Sequence, residues 1–100
     1  MMSLVSDVNA RAVDPRDIEW EVWDAAYRVY FWRALGPEGA WSSREVEVSG
    51  GDAAEVITWA AHNAIDDETY TVFALVDRHG EQGLVHLTGV DPSRPERSWL

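Results

Sequence analysis

The chain has 100 residues, with eight Arg, 18 Asp plus Glu, three His, six Trp, no Lys and no Cys, and a net charge of −10. This length suits one domain that buries a core unaided, and the missing Cys excludes disulfides, thiolate-bound zinc and thiol catalysis. The acidity disfavours nucleic acid and anionic lipid as partners, no apolar run reaches the ~18 residues of a membrane span, and the start lacks the marks of a secretory signal, so a cytoplasmic location is expected.

Residues 1–13 are polar and aperiodic and read as a flexible arm, which leaves 14–100 as a single domain. Asp14-Pro15-Arg16-Asp17 has the residues of a helix start, with Asp as cap and Pro at the first helical position. Ile18-Glu19-Trp20-Glu21-Val22 alternates like a strand, yet the helical wheel also works. Residues 15–24 fit both.

Ala26–Ala34 is a strand of aromatic and β-branched residues. Tyr27, Val29 and Phe31 face one way; Arg28, Tyr30 and Trp32 face the other. Gly36-Pro37-Glu38-Gly39 makes a turn. Trp41–Ser49 returns with Val46 and Val48 on one face and Glu45 and Glu47 on the other, the pattern of an edge strand with one wet face. Asp52 with Glu55 three residues later forms a capping-box start. Ala53, Val56, Ile57, Ala60 and Ala64 then make a helical stripe, so a helix is expected over 53–65. Thr69–Asp77 is a third strand, apolar on both faces and therefore central. Residues 78–83 read as a hairpin loop, and Leu84–Val90 as the fourth strand.

The order strand–strand–helix–strand–strand implies an α+β fold in two layers. A four-stranded, mainly antiparallel sheet with strand order 2-1-3-4 carries one helix on one face. That helix covers one face only, while strands one, three and four are apolar on both. Exposed apolar area beyond a few hundred Å² is unusual for a monomer. Segment 18–24, a second copy of the chain or a partner could cover it; a homodimer with segment 18–24 contributing is the expected cover, and Tyr30, Trp32, Leu84 and His86 are the expected contacts.

The charge is uneven: −4 over residues 1–26, zero over 27–51, −6 over 52–82 and zero over 83–100. Asp66-Asp67-Glu68 follows the helix, where acids oppose the macrodipole. A run that stability does not favour is a candidate for docking a basic protein partner. Glu55, Trp59 and His62 on the helix extend that candidate surface, with Trp59 as anchor. No EF-hand spacing, phosphate loop, dinucleotide fingerprint or nucleophile motif is present, so neither metal nor cofactor is expected. Tyr30, Trp32 and Phe73 would suit base stacking, but the basic surroundings of such platforms are missing.

These readings favour a small acidic protein-interaction module, such as an adaptor, a regulator or an immunity- or antitoxin-type inhibitor, and not an enzyme. Three alternatives stand beside it. One is an assembly protein dimerising through the open sheet face. Another is a DNA-mimic inhibitor with carboxylates in phosphate-like rows. The third is a small enzyme or ligand-binding domain using His86, His62, Tyr70 and Glu55.

Overall fold

A computed structural model describes residues 7–18, 21 and 25–93. Trp20, Trp23, Trp99 and the helix-or-strand question over 19–24 lie outside them, apart from Glu21. Within the described part, Pro15–Asp17 is a single 3-10 turn. Asp14 caps it, accepting from the Arg16 amide at 2.9 Å. Residues 8–14 have no regular structure and are exposed.

Strands β1 (Ala26–Ala34), β2 (Trp41–Ser49), β3 (Thr69–Arg78) and β4 (Glu81–Gly89) form one antiparallel sheet in the order β2-β1-β3-β4. Helix α1 (Ala53–Asn63) connects β2 to β3 and packs on one face. The two-layer α+β architecture and its strand order are those that the alternation of residues implies.

Periodicity decides the faces. Tyr27, Val29 and Phe31 of β1 meet Val46 and Val48 of β2 and Tyr70, Val72 and Ala74 of β3 on the helix side. Val56 and Ala60 of α1 close this core, and Val29, Phe31, Ala60 and Val72 have no exposed surface. Burying side chains of the Val and Phe class contributes about 1.5–3 kcal/mol each. The core is small because the helical stripe is mostly Ala.

The helix start is as its sequence requires. Asp52 Oδ1 accepts from the Glu55 amide and Glu55 Oε1 from the Asp52 amide, both at 2.8 Å. Its end comes earlier than the expected Ile65. Ala64 is already extended, and Asp66 is left-handed at φ 55°. Asn63 Nδ2 donates to the Trp59 carbonyl at 2.8 Å, which competes with continuation of the helix.

The second hairpin is also tighter than the expected loop over 78–83. Its turn is His79-Gly80 alone, with φ of 54° and 81°, the two positive angles of a type I′ turn. Both flanking strands run on to meet it, and Arg78 pairs with Glu81. Near its other end β4 carries a bulge opposite Val72 and Phe73. Gly89 follows at φ 91°, against the Tyr70 carbonyl.

Candidate functional site

No helix or strand among the described residues packs on the face of the sheet away from α1, although Trp32 and Thr71 on that face are buried. Strand pairing arranges its side chains in rows across the strands. Glu47 pairs with Arg28, Arg28 with Phe73, and Phe73 with His86, so one row reads Glu47–Arg28–Phe73–His86. The next row toward the Gly50 end is Ser49–Ala26–Leu75–Leu84. On the other side lie Glu45, Tyr30, Thr71 and Gly89. Trp32 follows on β1, opposite Ser43 and Thr69.

The rings contact one another along this face. Tyr30 stacks on Trp32 with centroids 5.7 Å apart and meets the Phe73 ring edge-on at 5.4 Å. Phe73 in turn meets His86 edge-on at 5.8 Å. Offset and edge contacts of this kind suit the ring quadrupoles. His86 Nε2 lies 2.6 Å from the Gly89 carbonyl, so that nitrogen carries a proton and donates it. Arg28 Nη2 stands 3.6 Å from Glu47 Oε1, while its Nε is buried without a hydrogen-bond partner among the described residues.

All four residues expected at a sheet-face contact lie on this face, but they are not alike. Trp32 is closed off at 7 % exposure, with its Nε1 donating to Thr71 Oγ1 at 3.0 Å. Leu84 is 40 % exposed, His86 is exposed and Tyr30 half-buried. Arg28 and Phe73 complete the surface, and neither is among the expected contacts. Alternation places them on this face, but only the register puts them in one row with His86.

The acidic surface is built differently from the expected docking patch. Glu55 is committed to the helix cap. Trp59 is half-buried and packs its ring near Phe31, with centroids 6.0 Å apart, as part of the core wall. His62 is exposed, and the helix ends before Asp66 can align with it on one helical face. Glu68 turns inward: its side chain is 7 % exposed and lies 2.8 Å from Arg44 Nη2. Its Oε1 also accepts from the Ile65 amide at 2.9 Å. The Arg44 guanidinium beside it holds the Glu68 carboxyl below the usual range, and Glu68 raises Arg44 in return.

Asp66 and Asp67 point outward, near Arg33 at 3.9 and 3.6 Å. Arg44 also donates to the Asn63 carbonyl at 3.2 Å, and Arg33 reaches the Ile65 carbonyl at 3.5 Å. Two arginines from β1 and β2 thus meet the end of α1, where positive charge favours the dipole. This answers the puzzle of three acids at a helix C-terminus. Arg44 holds Glu68 closely and Arg33 stands beside Asp66 and Asp67, so the exposed acidic patch is reduced to those two residues. The same two arginines weaken a DNA-mimic arrangement.

The candidate enzyme residues do not converge. His86 is on the open face and Tyr70 on the helix face. Glu55 and His62 lie near opposite ends of α1. Among the described residues no three of His, Asp and Glu gather in a metal-holding group, and no helix is long and apolar enough to cross a membrane. Comparison with protein-family models, curated proteins and solved structures found no match for this chain.

Proposed function

We propose that this chain is a small, non-catalytic protein-interaction module that binds through the open face of its sheet. One observation carries the reading: Tyr30, Phe73, Leu75, Leu84 and His86 share a face that no described element covers. Contiguous aromatic surface of this sort, rimmed by Glu45, Glu47 and Arg28, has the composition of an interaction site. An adaptor or an inhibitor needs no more than such a face on a rigid sheet.

The acidic stretches serve a second purpose in this reading. They keep the chain soluble and steer encounters, while the aromatic face makes the contact. Site-specific photo-crosslinking tests the proposal. A photoreactive residue at Leu84 should give discrete cross-linked protein species in cells. One at Ala54, exposed on α1, should not. No cross-linking at Leu84, or equal cross-linking at Ala54, contradicts it.

A further inference from the structure

We infer that β4 pairs edge to edge with β4 of a second copy, antiparallel about a twofold axis through Leu84, so that two chains share one continuous sheet. This goes beyond the reading of the open face, which such a pairing leaves exposed.

β4 has the composition of an inner strand in the place of an outer one. It ends the order β2-β1-β3-β4, and no described strand pairs with its far side. Leu84 and His86 stand on the open face and Val85 on the other, where Leu87 follows at the bulge. α1 does not cover them, and no side chain of β4 belongs to the core. Leu84, Val85 and Leu87 are 40, 51 and 38 % exposed. The other edge is protected. β2 carries Arg44, Glu45 and Glu47, while its Val46 and Val48 pack into the core. Charges on an edge discourage an added strand. β4 has one charge, Glu81, beside the turn. Apolar residues on both faces are the mark of a strand paired on both sides.

The backbone sets the register. The type I′ turn makes Arg78 and Glu81 the hydrogen-bonded closing pair. Alternation then turns the N–H and C=O of Gln82, Leu84 and His86 away from β3. The turn bounds this free run at one end, and the bulge after His86 bounds it at the other. Leu84 is the midpoint, so pairing about Leu84 engages the whole run. Leu84 then faces the partner's Leu84, and Gln82 faces the partner's His86.

The side chains agree with that register. Gly83 comes opposite the partner's Val85, and the contact occurs twice, as an isologous interface requires. A Cβ at Gly83 would meet nothing within 4 Å, and Gly83 lies in a hollow edged by Val76, Glu81 and Val85. The partner's Val85 fills that hollow. Either neighbouring register sets Gly83 against itself or Val85 against itself, and each leaves an end of the free run unpaired. No charge lies between Gln82 and His86, so the pairing sets no like charges opposite one another. The free run is its own complement, which favours a second copy over a foreign strand. A contact this short is at the small end of specific interfaces, so a Kd on the order of 10 µM is expected.

The chain has no Cys, so introduced thiols report the register. Gly83→Cys and Val85→Cys are made in separate full-length chains. The first enters open space and the second replaces an exposed side chain. Mixed and mildly oxidised, they should form a covalent dimer of one of each, because directly opposed residues of this kind stand about 4.5 Å apart at Cα, within disulfide reach. Either variant alone should give at least about fivefold less, since equivalent positions then lie on a diagonal of ~8 Å, beyond that reach. Leu84→Pro removes an N–H that points away from β3 and so spares the β3–β4 ladder. It should weaken the dimer in sedimentation equilibrium by about tenfold or more, with far-UV circular dichroism unchanged.

A native chain that stays monomeric at about 100 µM overturns the inference. So do single variants that cross-link as well as the mixture, a mixture that does not cross-link, and a folded Leu84→Pro chain whose dimer is as tight as the native one. Photo-cross-links from Leu84 separate this contact from the open-face reading. A species of two copies of this chain reports the β4 edge, and a species with any other protein reports the open face.

Discussion

The indole N–H of Trp32 donates to the Thr71 hydroxyl at 3.0 Å, and that hydroxyl donates to the Val90 carbonyl at 2.9 Å. Thr71 is a fully buried polar side chain, and this relay satisfies it. It ties β1 through β3 to the chain leaving β4, and it fixes the ring on which Tyr30 stacks. Thr71→Val keeps the shape and removes the hydroxyl, leaving the indole N–H and the Val90 carbonyl without this partner. A loss of about 1–3 kcal/mol is expected in denaturant unfolding. Thr71→Ser keeps the relay and should lose less. Equal losses would show that the hydroxyl is not what matters.

Gly89 is required by its surroundings. A Cβ there overlaps the Tyr70 carbonyl oxygen and stands 2.9 Å from Thr71 Cα, at a φ of 91°. The atoms in the way are backbone and cannot swing aside. Gly89→Ala should therefore cost several kcal/mol, on the order of 3. Gly80→Ala, at φ 81° with open space around it, bears the backbone cost alone, about 1 kcal/mol. Thermal unfolding of the two variants should rank them in that order.

The Arg44–Glu68 pair sets a pH dependence with a definite sign. The Glu68 carboxyl is held below its ordinary value of 4.5 in the folded chain. Its contribution is therefore fully present above that value and is lost as pH falls through the lower, folded one. Thermal unfolding between pH 7 and pH 3 should show a steeper acid loss for the native chain than for Glu68→Gln. At pH 7 the variant should be less stable by about 1 kcal/mol, the size of a partly screened pair. Parallel curves would contradict the assignment.

Asp52 and Glu55 close the first turn of α1 against each other. Asp52→Ala removes the acceptor of the Glu55 amide and should cost about 1 kcal/mol. Hydrogen exchange should rise first in the opening turn of the helix. A uniform rise across the sheet would mean that the cap governs more than α1.

The fold was largely legible because its signals are local and agree with one another. The alternation in β1 and β2 gives their bounds and faces. The Asp52–Glu55 spacing gives the start of α1, and the apolar β3 gives its central place. Where expectation and structure part, some causes are local: Asn63 bonds back to the Trp59 carbonyl at the helix end, and His79-Gly80 closes the second hairpin. Glu68, by contrast, turns inward because Arg44 arrives from β2, and Arg33 arrives from β1 beside Asp66 and Asp67. Nothing near residues 66–68 in sequence announces them, although three acids against a helix dipole signalled that some cation was due. The row from Glu47 to His86 was hidden for a similar reason. Alternation assigns a face, but register across three strand pairs decides which residues stand abreast.

Photo-crosslinking from Leu84 tests the central claim most directly, that the sheet face away from α1 makes the contact. Discrete cross-linked species with other proteins should form from the native chain and should be lost in Phe73→Asp, which puts a carboxylate in the middle of that face. Cross-links that persist unchanged in Phe73→Asp would contradict the claim.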